Sequence, residues 1–174
     1  YEDDLTMKLS DIKTIEDVVE KHNIDLIIPI AEPELRFLTK SKILSKIGNA
    51  KIVCANQKSL EIGFDKLKTA DFLEENGLPF PKTKLISTIN NQLDFPAIIK
   101  SRTGSGSSTI HIANNDEDFI YLKNKHSDFI IQEFLPSDEG EFTCGVFRSK
   151  NGDIRSIILK RELTGGYSGY GEVI

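Results

Sequence analysis

The first third of the chain alternates between helical and short apolar patterns. Thr14 and Asp17 have the spacing of a capping box, and apolar residues follow them at helical spacing. Residues 24–29 (IDLIIP) are almost wholly apolar, which is typical of a parallel strand covered on both faces. The pattern therefore predicts a helix that leads into a buried strand.

A second helix and strand are predicted immediately afterwards. Residues 33–47 have helical periodicity, with Pro33 suited to the first turn and Gly48 to the C-terminal cap. Residues 51–55 (KIVCA) form a second apolar run. This βαβ order is typical of an α/β unit with parallel strands.

The pattern changes after a helix predicted over residues 65–75. Residues 77–81 (GLPFP) break that helix and require an extended exit. Strands then dominate, one helix over 116–125 interrupts them, and Asn151-Gly152 predicts a hairpin turn. The predicted strands are 83–86, 97–100, 109–112, 129–133, 142–148 and 154–160. The second part is therefore expected to be α+β with mostly antiparallel sheets.

Composition narrows the class of protein. The 174 residues are 39% hydrophobic and 28% charged, so an ordinary buried core is expected. The net charge of -5 argues against nucleic acid as a partner. Cys54 and Cys144 lack metal-ligand spacing, and no apolar run approaches the roughly 20 residues of a membrane span. We expect a cytoplasmic protein with no membrane partner.

The segment over residues 95–110 has the most chemical content. A predicted strand ends at Lys100, and a glycine- and serine-rich stretch follows before the chain re-enters a strand. Glycines allow backbone N–H groups to approach an anion, and Lys100 and Arg102 add positive charge. The stretch is not a P-loop, because no Gly-Lys-Ser/Thr ends it and no helix follows. A polyphosphate cradle and a flexible hairpin loop both remain open.

Two further segments have weaker signals. Lys66 follows the predicted N-cap Asp65, so it is either a surface lysine or a cation placed beside a bound anion. Residues 130–136 (IIQEFLP) precede Glu139 and Glu141 and could present backbone groups to a planar base. An edge strand with ordinary surface acids explains the same residues.

Taken in order, these segments resemble the ATP-grasp superfamily, and among its members the carbamoyl-phosphate synthetase large subunit and its stand-alone relatives. The resemblance is carried by Asp-Lys at a helix start, Gly-x-Pro-x-Pro, Phe-Pro-x-Ile-Ile-Lys with a glycine-rich hairpin, and Gln-Glu-Phe-Leu-Pro. It extends from about Asp25 to the end of the chain. It implies an ATP-grasp domain over residues 59–174, with a lid subdomain at about 80–135, after the end of a Rossmann-like domain.

The resemblance also implies roles for individual residues around the phosphates. Lys66 and Lys100 are expected to contact phosphate, and a glycine-rich loop is expected to cover it. Arg161 is expected to be a later phosphate or substrate contact. The loop consists of Gly104, Ser105, Gly106, Ser107 and Ser108.

The remaining implied roles concern the nucleoside. Glu133, Phe134 and Leu135 are expected to line the adenine. Glu141 is expected to meet the ribose, and Glu139 is the alternative for that role. For the segment 165–169, an approach to phosphate or acceptor and a plain loop both remain open.

The implied reaction is ATP-dependent activation of a carboxylate or bicarbonate as an acyl phosphate, which an amine or similar nucleophile then attacks. The family's Mg²⁺ ligands are expected beyond residue 174, so the chain is expected to lack the C-terminal part of the domain and to bind nucleotide without turning over alone. A non-catalytic nucleotide-binding or interaction module of the same fold and an ATP-grasp phosphotransferase are the alternatives.

Overall fold

The chain forms two compact units in the computed structural model, which describes residues 11–90, 94–104, 110–136, 140–164 and 167–174. The first unit contains residues up to Phe80 together with a short segment that begins at Arg102. The second contains Pro81–Ser101 and the rest of the chain from residue 106 onward. The described strands of each unit pair only with strands of the same unit.

The described residues of the first unit form four helices and a small three-stranded sheet. Strand order in that sheet is β1-β3-β2, with β1 parallel to β3 and β2 antiparallel to it. The elements are α1 (Ile12–His22), β1 (Leu26–Ile27), α2 (Glu32–Ser41), β2 (Lys46–Ile47), β3 (Ala50–Ile52), α3 (Gln57–Gly63) and α4 (Lys66–Glu75). The predicted parallel pair is therefore confirmed.

Two local predictions in this unit are wrong, and one helix was missed. Helix α1 begins at the N-cap Asp11, whose carboxylate accepts from the Lys13 amide, so Thr14 lies within the helix. Strand β1 has one neighbour in the sheet, and Leu26 is 48% exposed rather than covered on both faces. Helix α3 was not predicted.

Helix α2 also ends earlier than predicted, at Ser41 instead of residue 47. Lys42 adopts a left-handed conformation (φ 57°), and the Ile43 amide then donates back to the Leu38 carbonyl. The apolar residues that follow keep helical spacing, but they pack against the buried core after the chain has turned. Gly48 has φ 55° in the tight turn between β2 and β3, where positive φ is required, so it does not cap the helix.

In the part of the second unit that the structure describes, there are two antiparallel sheets and one α-helix. Its elements are β4 (Thr83–Leu85), the 3₁₀ helix η1 (Ile86–Thr88), β5 (Ala97–Ser101), β6 (Ile110–Ala113), α5 (Asp116–Lys125), β7 (Phe129–Glu133), β8 (Glu141–Arg148), β9 (Ile154–Thr164) and β10 (Tyr167–Val173). The strand orders are β4-β7-β5-β6 and β10-β9-β8. This confirms the predicted antiparallel sheets and the hairpin between β8 and β9, whereas β10 was not predicted.

Successive side chains along the strands of the four-stranded sheet lie on opposite faces of that sheet. On one face Ala97, Ile99 and Ile131 are buried against the apolar side of α5. Lys100 and Gln132 have the opposite parity in their strands, so their side chains lie on the other face. The core thus leaves Lys100 at the end of β5 on the face away from α5.

Candidate functional site

Helix α4 begins as the sequence predicts, with Asp65 as its N-cap. One oxygen of the Asp65 carboxylate, Oδ1, accepts from the backbone amides of Leu67 (3.0 Å) and Lys68 (3.3 Å). Lys66 is the first helical residue, and its Nζ donates to the Gly104 carbonyl at 2.8 Å. The structure therefore brings Lys66 together with the first residue of the predicted glycine-rich loop.

Arg102 joins this group through the same carboxylate. Its Nε lies 2.9 Å from each Asp65 oxygen, and its Nη2 lies 2.7 Å from Oδ2. Burial of Asp65 favours the neutral carboxyl, but the hydrogen bonds and charge of Arg102 and the two backbone amides outweigh it. The pKa of Asp65 is therefore lowered. The hydrogen bond from Arg102 to Asp65 likewise raises the pKa of the Arg102 guanidinium.

The lowered pKa of Asp65 predicts how stability depends on pH. An unfolded Asp binds its proton at a pKa of about 3.9, above that of folded Asp65, so the pair stabilises the fold above that value. This contribution is lost as pH falls through the folded pKa. We expect the difference in free energy of unfolding between the wild type and Asp65→Asn to shrink between pH 6 and pH 3. Urea unfolding at both pH values measures it, and equal differences at the two pH values would contradict the expectation.

Lys100 lies at the start of a directional hydrogen-bond chain across three strands. Its Nζ donates to Gln132 Oε1 at 2.6 Å, and Gln132 Nε2 donates to Thr83 Oγ1 at 2.7 Å. Thr83 Oγ1 in turn donates to the Pro81 carbonyl at 2.7 Å. The Thr83 hydroxyl donates its proton to Pro81, so it can only accept from Gln132. The Gln132 amide therefore directs its NH₂ group to Thr83 and its oxygen to Lys100.

Gln132 is the residue that sequence reasoning missed. It lies in the segment predicted to meet adenine, but no role was assigned to it. Its pairing with Lys100 depends on the register of β5 against β7, in which Gln132 is opposite Ile98, two residues from Lys100. The sequence could have indicated this pair, because Lys100 and Gln132 lie on the same face of the sheet once β5 and β7 are paired.

The side chain of Glu133 lies on the other face of the sheet. Its partner in register is Ala97, which is buried beneath α5. Glu133 Oε2 accepts from the Lys82 amide at 3.1 Å, and Glu133 and Phe134 line a cavity of about 730 Å³ within the second unit. Leu135 is exposed. Glu133 and Phe134 are thus brought together, but the Glu133 side chain is separated by the sheet from that of Lys100.

Glu141 and Arg161, which were assigned separate roles, are paired. They lie directly opposite each other in the ladder between β8 and β9, and Arg161 Nη1 lies 3.7 Å from Glu141 Oε2. The predicted sites Ser105, Gly106, Ser107, Ser108 and Glu139 lie outside the described residues.

The described part of the chain contains neither a metal cluster nor a membrane-spanning helix. No group of three or more His, Cys, Asp or Glu side chains in these ranges could hold a metal ion. Mg²⁺ in nucleotide sites is usually held by one or two carboxylates together with the phosphates, so this finding concerns only sites built wholly from protein side chains. None of the helices in the same ranges is long and apolar enough to cross a bilayer.

The helices and antiparallel sheets of the chain agree with a family comparison. Residues 64–163 match the family model described as an ATP-grasp domain. The chain belongs to the ATP-grasp family.

Individual relatives agree with this assignment. The chain is 23% identical over 124 residues to a carbamoyl-phosphate synthase of Methanobrevibacter smithii, covering 67% of this chain and 34% of the relative. It is 28% identical over 114 residues to a coenzyme gamma-F420-2:alpha-L-glutamate ligase of Methanococcus maripaludis, covering 59% and 37%. The chain thus spans about a third of the length of these curated relatives.

A solved structure supports the fold. The N5-carboxyaminoimidazole ribonucleotide synthetase of Thermus thermophilus superposes with a TM-score of 0.69 at 16% identity. The match covers 92% of this chain and 43% of that one. The similarity is one of fold.

Proposed function

We propose that this chain is the ATP-binding part of an ATP-dependent ligase that forms a C–N bond. The enzyme activates a carboxylate or bicarbonate as an acyl phosphate for attack by an amine or similar nucleophile, as in carbamoyl-phosphate synthetases. The observation that carries the proposal is the family match over residues 64–163, since every residue singled out for nucleotide binding lies inside it.

The chemistry requires charge neutralisation and positioning. A carboxylate oxygen attacks the γ-phosphorus of ATP, the bond from that phosphorus to the β-phosphate oxygen breaks, and ADP leaves. The nucleophile then attacks the acyl carbon, and phosphate leaves. Lys66 and Lys100 supply positive charge to the phosphates, which is the main demand of phosphoryl transfer.

The assignment of Lys100 is supported by its hydrogen bond to Gln132. A neutral amide fixes the direction of the ammonium group at 2.6 Å without cancelling its charge through that contact. Glu141, held by Arg161, is proposed to accept from the ribose hydroxyls, and the segment of Glu133, Phe134 and Leu135 to meet the adenine.

The domain assignment belongs to the same proposal. Residues 1–58 are proposed to end a Rossmann-like domain, supported by the parallel pair β1 and β3. Residues 59–174 are proposed to start the ATP-grasp domain. Both described thiols, Cys54 and Cys144, are free, which supports a cytoplasmic location.

Calorimetric titration of ADP and Mg-ATP tests the nucleotide site. We expect saturable binding by the wild type and a Kd raised about 10- to 100-fold in Lys100→Ala or Lys66→Ala, because each loses a charged hydrogen bond worth about 1.5–3 kcal/mol. Lys125→Ala is the control, since Lys125 lies on α5 over the Tyr121 ring.

The pattern of losses decides the outcome. Equal losses in all three lysine variants would point to a nonspecific charge effect, and undiminished binding in both Lys66→Ala and Lys100→Ala would contradict the assigned phosphate contacts. Product analysis of the active enzyme separates ligation from simple phosphotransfer, because only ligation consumes the nucleophile. A longer form of the protein that binds nucleotide but forms neither product corresponds to the non-catalytic alternative, since the present chain is expected to bind without turning over alone.

A further inference from the structure

The segment Arg102–Gly104 is attached to the start of α4 by backbone as well as side-chain contacts. The Lys66 amide donates to the Arg102 carbonyl at 3.0 Å, and Asp65 forms an antiparallel bridge with Thr103. The Lys66 Nζ then donates to the carbonyl of Gly104 in the same segment. The beginning of the predicted glycine-rich loop therefore lies along the helix start as a short paired stretch.

The Asp65 carboxylate is shared between this segment and the helix. Two backbone amides of α4 and the Arg102 guanidinium all donate to it, and the Asp65 residue is only 8% exposed. Guanidinium groups are planar with donors in fixed directions, so two nitrogens on one carboxylate determine orientation as well as proximity. The contact fixes both the position and the direction of Arg102.

The helix start alone does not require this ion pair. Asp11 caps α1 in the same manner, accepting from the Lys13 amide, and the described structure shows no arginine on its carboxylate. Asn56 caps α3 and Asn115 caps α5 with neutral side chains. Among the described helices with a side-chain N-cap, the guanidinium at Asp65 is thus an addition beyond capping.

We propose that Asp65 and Arg102 are positioning residues that hold the first residues of the glycine-rich segment against α4, and so set where Lys66 presents its ammonium group to nucleotide phosphates. The proposal deepens the proposed function and rests on it. Arg102 acts through the Asp65 carboxylate and the 102–104 backbone. From the sequence alone, its charge was expected to act on the phosphates directly.

The conservative substitution Arg102→Lys separates these roles. Lysine retains the charge but lacks the planar fork, so a positioning role predicts loss of affinity, whereas a simple charge role predicts that affinity is retained. We expect the Kd for ADP to rise about tenfold in Arg102→Lys and in Asp65→Asn. Because both variants break one unit, the double variant is expected to bind no more than about twofold worse than the weaker single variant.

Asp11→Asn is the matched control, because it alters a helix cap of the same chemistry at α1. It is expected to shift the melting temperature slightly and to leave the Kd for ADP unchanged. If Arg102→Lys binds ADP as the wild type does, the positioning role is overturned. If Asp11→Asn weakens binding as much as Asp65→Asn, the effect is one of general stability and the proposal also fails.

A second readout needs no nucleotide. Acylation of Lys66 by a limiting amount of an amine-reactive ester, quantified by mass spectrometry, measures how firmly its ammonium is held by Gly104. We expect labelling of Lys66 to increase several-fold in Arg102→Lys and Asp65→Asn, with Lys125 labelling as the internal reference. Unchanged Lys66 labelling would overturn the inference even if ADP binds. If the wild-type chain does not bind ADP but Lys66 labelling still increases in the two variants, the result counts against the proposed function alone.

Discussion

Ile99→Ala is expected to lower the free energy of unfolding of the second unit by about 2 to 5 kcal/mol. Ile99 lies in the central strand β5, is fully buried (0% exposed), and packs in the cluster formed by the sheet and α5. The substitution removes three carbons from a site closed by strands on both sides, so the structure cannot collapse around the cavity. Urea unfolding followed by circular dichroism measures the change.

Ile112→Ala is the matched control for this prediction. Ile112 lies on the neighbouring strand β6, opposite Ile98, and is 49% exposed on the other face of the sheet. We expect its loss of stability to be within about 1 kcal/mol. A loss at Ile99 no larger than that at Ile112 would show that the α5 face does not provide the main core of this unit.

Gln132→Glu is expected to reduce affinity for ADP at least as much as Lys100→Ala, about 10- to 100-fold. The replacement has the same length and places a carboxylate where the amide oxygen accepts from Lys100 at 2.6 Å. The carboxylate neutralises the ammonium group and repels the phosphates. It also lacks the N–H that donates to Thr83 Oγ1, so the hydrogen-bond chain to Pro81 loses a link. Calorimetric titration with ADP at fixed salt measures the loss.

Gln132→Met separates orientation from charge. Methionine has a similar length and no charge, so Lys100 loses this acceptor and no negative charge is introduced beside it. We therefore expect an intermediate affinity, below the wild type and above Gln132→Glu. Wild-type affinity in Gln132→Glu would refute the proposed contact between Lys100 and phosphate, provided that the urea midpoint shows the variant to be folded.

Much of the second unit could be predicted because its signals are local. The predicted bounds of α5 and β7 agree with the structure, and Asn151-Gly152 marked the hairpin between β8 and β9. The end of α2 could not be predicted in this way. Apolar residues after Lys42 continue a helical pattern, and only the tertiary contacts of the following segment decide that the chain turns there.

The sequence indicated candidate residues for the site but not the contacts that those residues make. Lys66 and Lys100 were identified from motif position, but their partners depend on which distant segments meet. Gln132 is 32 residues from Lys100, and Gly104 is 38 residues from Lys66. Strand register and loop path set these pairs, and neither is encoded in local periodicity. The same limitation explains why Glu141 and Arg161 were given separate roles although they face each other across one ladder.

The contact of Arg102 with Asp65 and that of Lys100 with Gln132 differ in their effect on the charge that an incoming anion meets. Arg102 is held by a carboxylate, so the pair resembles a dipole whose influence fades quickly with distance, whereas the amide that holds Lys100 cancels no charge. Arg102 is therefore expected to add little long-range attraction for a polyphosphate and to contribute mainly geometry.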